Sequence, residues 1–146
     1  MGSDPKFPMA TEVHTIVLDT NIVLDLLVFD DPAVQALKLA LAAGAVRWLA
    51  TAPMREELLR VLDYPKIKAR LALQQLDAAQ VLRQFDAQAR LVDVATRTKP
   101  TCSDPDDQKF IDLAVAHQTT LLSKDHAVLC LKKRLLTLAV KAQTVL

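Results

Sequence analysis

The chain has 146 residues, 51% hydrophobic and 24% charged, which suits one domain with a substantial core and a charged surface. A formal net charge of +1 excludes a global electrostatic pull toward nucleic acid, so any anion-binding surface has to be local. No stretch approaches the ~20 apolar residues of a membrane span, and the two cysteines, Cys102 and Cys130, match no multi-cysteine metal pattern and are expected as free structural thiols in a reduced setting. With only two glycines there is no glycine-rich phosphate loop. Met1 to Pro8 reads as an expression scar ahead of Met9, no basic-then-apolar leader is visible, and one domain is expected over 9–146.

In chain order, Ile16, Val17 and Leu18 form an apolar run rich in β-branched residues, which predicts a buried strand. A short helix is expected over 21–29. Asp31-Pro32 opens a second, with Asp31 suited to cap it and Pro32 to its first turn, and Gly44 ends it. A second strand falls at 46–50. Thr51 stands where a cap is wanted for a helix over 51–62, which Asp63-Tyr64-Pro65 breaks. Two helices are expected within 66–89, where Leu71, Leu73, Leu76, Val81, Leu82 and Phe85 supply apolar faces. A third strand over 91–94 and a polar loop over 96–103 lead into the best-signalled helix, 104–117, with Pro105 in its first turn and Phe110, Ile111, Ala114 and Val115 as its core stripe. Strands four and five are placed at 120–123 and 135–140. Alternating short strands and helices predict an α/β fold: a three-layer α/β/α sandwich around a mainly parallel sheet of four to five strands.

Acids stand at the ends of these apolar runs: Asp19 after the first strand, Glu57 beyond the second, Asp107 at the start of the 104–117 helix, and Asp125 after the fourth strand. In a parallel sheet, strand ends of one polarity share an edge, so carboxylates distant in sequence converge there. Clustered like charges make sense around an oxygen-liking divalent cation, Mg²⁺ or Mn²⁺. Each acid also has a local reading. Asp19 and Asp125 suit helix caps, Asp104 and Asp107 face a helix dipole, and Glu57 reads as a boundary residue reaching water. Helical spacing separates neighbours. Glu57 shares a stripe with Met54, Leu58, Val61 and Leu62, and Asp107 with Phe110, Ile111 and Ala114, whereas Glu56, facing Arg60, and Asp106 are expected in solvent. The three histidines, His14, His117 and His126, match no ligand spacing and are expected at the surface or at caps.

The motifs Leu18-Asp19-Thr20-Asn21, Glu57-Leu58-Leu59-Arg60-Val61-Leu62-Asp63-Tyr64-Pro65-Lys66, Asp104-Pro105-Asp106-Asp107-Gln108-Lys109-Phe110 and Leu121-Leu122-Ser123-Lys124-Asp125 occur in this order. Together they resemble the successive motifs of PIN-domain proteins, in particular the VapC-like ribonucleases that are toxins of toxin–antitoxin pairs. The resemblance spans about residues 14–142. It implies a metal-dependent, cytoplasmic endoribonuclease with Asp19, Glu57, Asp107 and Asp125 as the acidic quartet and Asp104 as an extra acid. Ser123 stands where Thr is frequent, Gln108 where Asp is frequent, and Ser103 where Arg is common.

The implied chemistry is hydrolysis of RNA phosphodiester bonds with Mg²⁺ or Mn²⁺. Asp19 would be the central ligand, Asp107 and Asp125 would complete the cage, Glu57 would bind metal or orient the nucleophile, and Thr20, Asn21 and Ser123 would hold carboxylates in position. Lys66, Lys68, Arg70, Arg97, Lys99, Lys109 and Lys124 form a weak candidate RNA rim against a background of ordinary solubilising charge. The resemblance also implies a small antitoxin, and the Leu- and Ala-rich 66–89 segment offers a groove for its helix or for a second copy in a homodimer. Two other functions compete. An aspartyl-phosphate phosphohydrolase also uses a strand-end Asp but wants a second Asp where this chain has Asn21. A catalytically silent PIN-like RNA-binding or scaffold module is the non-enzymatic alternative.

Overall fold

A computed structural model describes residues 13–146, so the expected scar over 1–8 lies outside the described residues. Five strands, β1 (His14–Leu18), β2 (Val46–Ala50), β3 (Ala89–Leu91), β4 (Thr120–Leu122) and β5 (Lys141–Gln143), form one sheet in the order β3-β2-β1-β4-β5. Every neighbouring pair is parallel. The connections carry α1 (Thr20–Leu24), α2 (Gln35–Ala42), α3 (Ala52–Leu62), α4 (Pro65–Leu73), α5 (Ala78–Gln88), α6 (Gln108–His117), α7 (His126–Leu129) and α8 (Lys132–Leu136).

The strand order dictates the layers. Parallel crossovers are right-handed. The steps from β1 to β2 to β3 run one way along the sheet and put α1 to α5 on one face. The steps from β3 to β4 to β5 run the other way and put α6 to α8 on the opposite face, completing the three-layer sandwich. Burial on both faces is why β1 ends in three consecutive buried residues, Ile16, Val17 and Leu18, rather than alternating. Trp48 of β2 is 1% exposed and meets Phe85 of α5 edge-on at 5.0 Å, tying the sheet to its first helical layer. The direction reverses between β1 and β4, and in open α/β sheets the crevice beyond the strands' carboxyl ends at such a reversal is where ligands bind.

Local signals explain most boundaries. Asp31 accepts a hydrogen bond from the Ala33 N–H at 2.8 Å and caps a 3₁₀ turn, Pro32–Val34, that leads into α2. Gly44 takes φ +72 after α2. The 66–89 stretch divides into α4 and α5 at Gln75, in the left-handed region, and at Asp77, which forms a reciprocal capping box with Gln80.

Several expectations need correction. Thr51 precedes α3 but makes no side-chain cap bond. Strand β3 begins at Ala89, directly after α5, because pairing of Trp48 with Ala89 and of Ala50 with Leu91 sets its register; Val94, expected inside it, is 65% exposed. The 135–140 strand is not one. Leu135 is the buried face of α8, Val140 seals the core after the turn, and the edge strand is Lys141–Gln143. Both cysteines are free, as expected; Cys102 is buried and Cys130 exposed.

Candidate active site

The β1–β4 register builds the centre of the site. Leu18 pairs with Leu122, so the next residues, Asp19 and Ser123, lie side by side at the sheet edge, and the Asp19 N–H donates to the Leu122 carbonyl at 3.1 Å. Asp19 is 2% exposed and caps α1: its Oδ1 accepts from the Ile22 N–H at 3.0 Å. Its Oδ2 accepts from the Ser123 hydroxyl. That hydroxyl, wholly buried, also accepts the Asp125 N–H at 3.0 Å, so one oxygen links two of the acids. Burial holds the Asp19 pKa above the ordinary carboxylate range, against the hydrogen bonds from Ser123 and Ile22, which pull it down.

Three other acids close on one another. Asp104, Asp107 and Asp125 each offer a carboxylate oxygen, and these atoms all lie within 4.8 Å of each other. Two of them are helix caps as well. Asp104 Oδ1 accepts from the Asp106 N–H at 3.0 Å, and Asp125 Oδ1 from the Ala127 N–H at 2.9 Å. A carboxylate has two oxygens, so a cap fixes one and leaves the other for the cleft; the cap and ligand readings do not compete. Asp107 makes no cap bond, and its Oδ2 is buried with no hydrogen-bond partner. Burial, the hydrogen bond to Asp125 and the charges of Asp125, Asp104 and Asp19 push the Asp107 pKa up to about 8, while that hydrogen bond to Asp107 holds Asp125 low. The two carboxyls thus act directly on each other, and a buried carboxyl oxygen that no donor reaches is the atom a cation would satisfy. An all-oxygen donor set of this kind fits Mg²⁺ or Mn²⁺.

Glu57 faces the same cleft from α3, with its side chain 17% exposed. Its Oε1 accepts from the Thr20 hydroxyl at 2.7 Å and lies 3.1 Å from Lys109 Nζ. Thr20 therefore positions Glu57, and Lys109 neutralises it. The cleft, about 710 Å³, is lined by these acids together with Thr20, Asn21 and an apolar wall of Leu24, Val61 and Ile67. Glu56 and Asp106 are exposed as expected, although Asp106 also borders the cleft. Arg55 rather than Arg60 is the α3 arginine with an acidic partner, bidentate on Asp86 at 2.8 Å. His14, His117 and His126 are all exposed.

The cationic rim differs from expectation. Lys109 is held on Glu57, Lys68 lies 3.3 Å from Asp63, and Lys124 lies 2.6 Å from the buried Asp25. Arg70 stacks over Phe29 at 5.1 Å. Lys66 borders the acidic cleft, and Lys99 lines a different groove. Asp25 escaped the sequence reading although an acid inside the apolar run from Ile22 to Val28 was the available signal. Gln108 and Asp112 were also missed as a pair. Gln108 donates to Asp112 Oδ1 and to the Pro100 carbonyl and accepts the Cys102 N–H, while Asp112 accepts the Thr98 N–H. Together they clamp the 96–103 loop onto α6.

A parallel α/β sheet with a carboxylate-lined crevice at its reversal point and a buried, unpartnered carboxyl oxygen defines a class of oxygen-ligand cation sites. The particular family follows from comparison: the PIN domain profile matches residues 15–127, and the chain belongs to the PIN-domain family. None of the curated proteins matches it. Among solved structures, a chain in the crystal structure of VapBC2 from Rickettsia felis, bound to a DNA fragment from their promoter, is similar with a TM-score of 0.59 and 16% identity, over 88% of this chain and 98% of that one. At that identity the likeness is one of fold. Among the described residues no helix is long and apolar enough to cross a membrane.

Proposed function

We propose that this chain is a Mg²⁺- or Mn²⁺-dependent endoribonuclease, the cytoplasmic toxin of a toxin–antitoxin pair. The observation that carries the reading is the convergence of Asp104, Asp107 and Asp125 in the β1–β4 crevice, with the Asp107 Oδ2 buried and unpartnered. These three residues would hold the ion, with Asp19 behind them. A bound divalent cation supplies charge neutralisation at the phosphate and activation of water.

The chain's own groups set up the rest. Ser123 fixes Asp19 and the Asp125 backbone in one frame. Asp107, whose pKa is raised to about 8, would hold the cation as a carboxylate and so would lose its proton on binding it. Glu57, steadied through Oε1 by Thr20 and Lys109, has its second oxygen available to orient the attacking water. Asn21 is exposed and stands where an aspartyl-phosphate phosphohydrolase needs its second Asp, which argues against that chemistry.

The VapBC2 neighbour is an assembly with a protein partner, which supports a small antitoxin for this chain. The surface its helix would cover is a groove of about 510 Å³ with Leu59, Leu62, Leu71 and Leu76 as its apolar wall and Arg60, Asp63, Lys68 and Asp77 around it. The test is cleavage of single-stranded RNA with Mn²⁺ or Mg²⁺. Cleavage that EDTA and Asp19→Asn each abolish supports the reading. A folded, metal-loaded chain that leaves RNA intact leaves only the silent binding module.

A further inference from the structure

Of the seven cations in the candidate rim, Lys68, Lys109 and Lys124 are ion-paired and Arg70 stacks on Phe29, whereas Lys99 is among those with no ion pair in the described residues. Lys99, Lys133 and Arg134 line a groove of about 430 Å³ together with Pro100, Thr137 and Leu138. Among the described residues no carboxylate lines this groove and none of the three cations forms an ion pair. Lys133 and Arg134 sit in the last turn of α8, where cations favour the helix dipole. That accounts for their presence on α8 but not for Lys99, which faces them from the 96–103 loop.

The loop is held firmly. The Thr98 N–H donates to Asp112 at 3.0 Å, Gln108 bonds Pro100 and Cys102, and the Cys102 thiol donates to the Ala127 carbonyl at 3.4 Å. Lys99 is thereby set on a clamped segment leading directly into Asp104. The five residue steps between them allow at most ~18 Å between their Cα atoms. The other rim connects in the same way, since Asp125 and α7 lead into α8. Among the described residues these three cations have no ion-pair partner, and the segments that carry them lead directly from the acidic cluster, so they make a positive site connected to it on both sides.

We propose that this groove binds the phosphate backbone of the substrate strand flanking the scissile bond. The acidic cleft repels phosphates until a cation is bound, and Lys99, Lys133 and Arg134 supply attraction that does not depend on metal. This deepens the nuclease reading and rests on it for the identity of the strand as RNA.

The test uses fluorescence anisotropy of the full chain with a long labelled oligouridylate in EDTA, so that cleavage plays no part, over a range of KCl concentrations. The variant Lys99→Gln/Lys133→Gln/Arg134→Gln should raise Kd about tenfold and flatten the slope of log K against log salt by about 2, at ~0.7 per phosphate contact on a single strand. A charge-matched control on exposed residues that do not line the groove, Arg47→Gln in β2, Arg83→Gln in α5 and Lys141→Gln in β5, should stay within about twofold of wild type at fixed salt. In Mn²⁺, the first variant should raise KM on the long strand, leave kcat unchanged, and leave cleavage of a dinucleotide unaltered. Equal loss in both triple variants, no loss in the first, or weakened binding to polyglutamate with RNA binding intact would each overturn the proposal. The predicted binding pattern without any Mn²⁺-dependent cleavage would support the groove while sinking the nuclease reading.

Discussion

Ser123→Ala perturbs the site at its least visible point. The hydroxyl is wholly buried, donates to Asp19 and accepts the Asp125 N–H. A hydrogen bond to a charged group contributes ~1.5–3 kcal/mol, and stranding a partly buried N–H adds about 1, so the metal-free variant should lose roughly 2–4 kcal/mol once the pH is above the raised Asp19 pKa. For a chain of this length each kcal/mol shifts Tm by about 3 °C, giving a drop of roughly 6–12 °C. The pH dependence has a definite sign. The Asp19 pKa is raised in the fold, so its contribution to stability is lost as pH rises from the ordinary 3.8 through the raised value. Ser123 lowers that pKa, and removing it widens the gap between folded and unfolded values. The loss in Ser123→Ala should therefore grow with pH and be smallest where Asp19 is neutral in both states. Urea titrations in EDTA, stepped from pH 4 to pH 8, measure this. A loss below about 0.5 kcal/mol, the level of a surface substitution, or one that is flat with pH, would refute the bridging role.

Asp107, with its pKa pushed to about 8, stabilises the metal-free fold while protonated, and that contribution is lost as pH rises from 3.8 through 8. The metal-free protein should melt lower at pH 8 than at pH 6, Mn²⁺ should raise Tm more at pH 8, and calorimetry in two buffers should show a proton released on binding; a pH-independent Mn²⁺ affinity contradicts this. Glu57→Gln should lower RNA cleavage by about 10²-fold or more, and Glu56→Gln by no more than a few-fold; equal effects would show that position on the α3 face is irrelevant. Gln108→Ala removes three hydrogen bonds to the loop and Asp112, so the Thr98 and Cys102 amides should lose protection in hydrogen exchange while β1 amides keep theirs. Unchanged protection at Cys102 would mean that something else holds the loop.

The parts of the fold that are local in origin were legible in the sequence. The apolar runs ending at Leu18, Ala50 and Leu122 mark strands buried on both faces, and the acids beyond them converge on one cleft at the sheet edge. The last strand was misplaced because Leu135 and Val140 both belong to the core yet reach it from a helix and from the turn after it. Periodicity over so short a segment cannot separate the two. Ion pairing was misread for a different reason. Lys109 with Glu57 and Lys124 with Asp25 meet only after the layers pack, so nothing near either lysine in the chain announces its partner. Asp104 shows a third kind of limit: its cap geometry was visible locally, whereas its place beside Asp107 and Asp125 depends on α6 and α7 docking on one face of the sheet.

The most direct test of the central claim is an anomalous difference map at the manganese edge from crystals soaked in Mn²⁺. A peak within metal–oxygen bonding distance of Asp107 Oδ2 and of carboxylate oxygens from Asp104 and Asp125, lost in Asp107→Asn crystals soaked identically, is the predicted result. A peak elsewhere on the surface with none in the β1–β4 crevice would contradict the account.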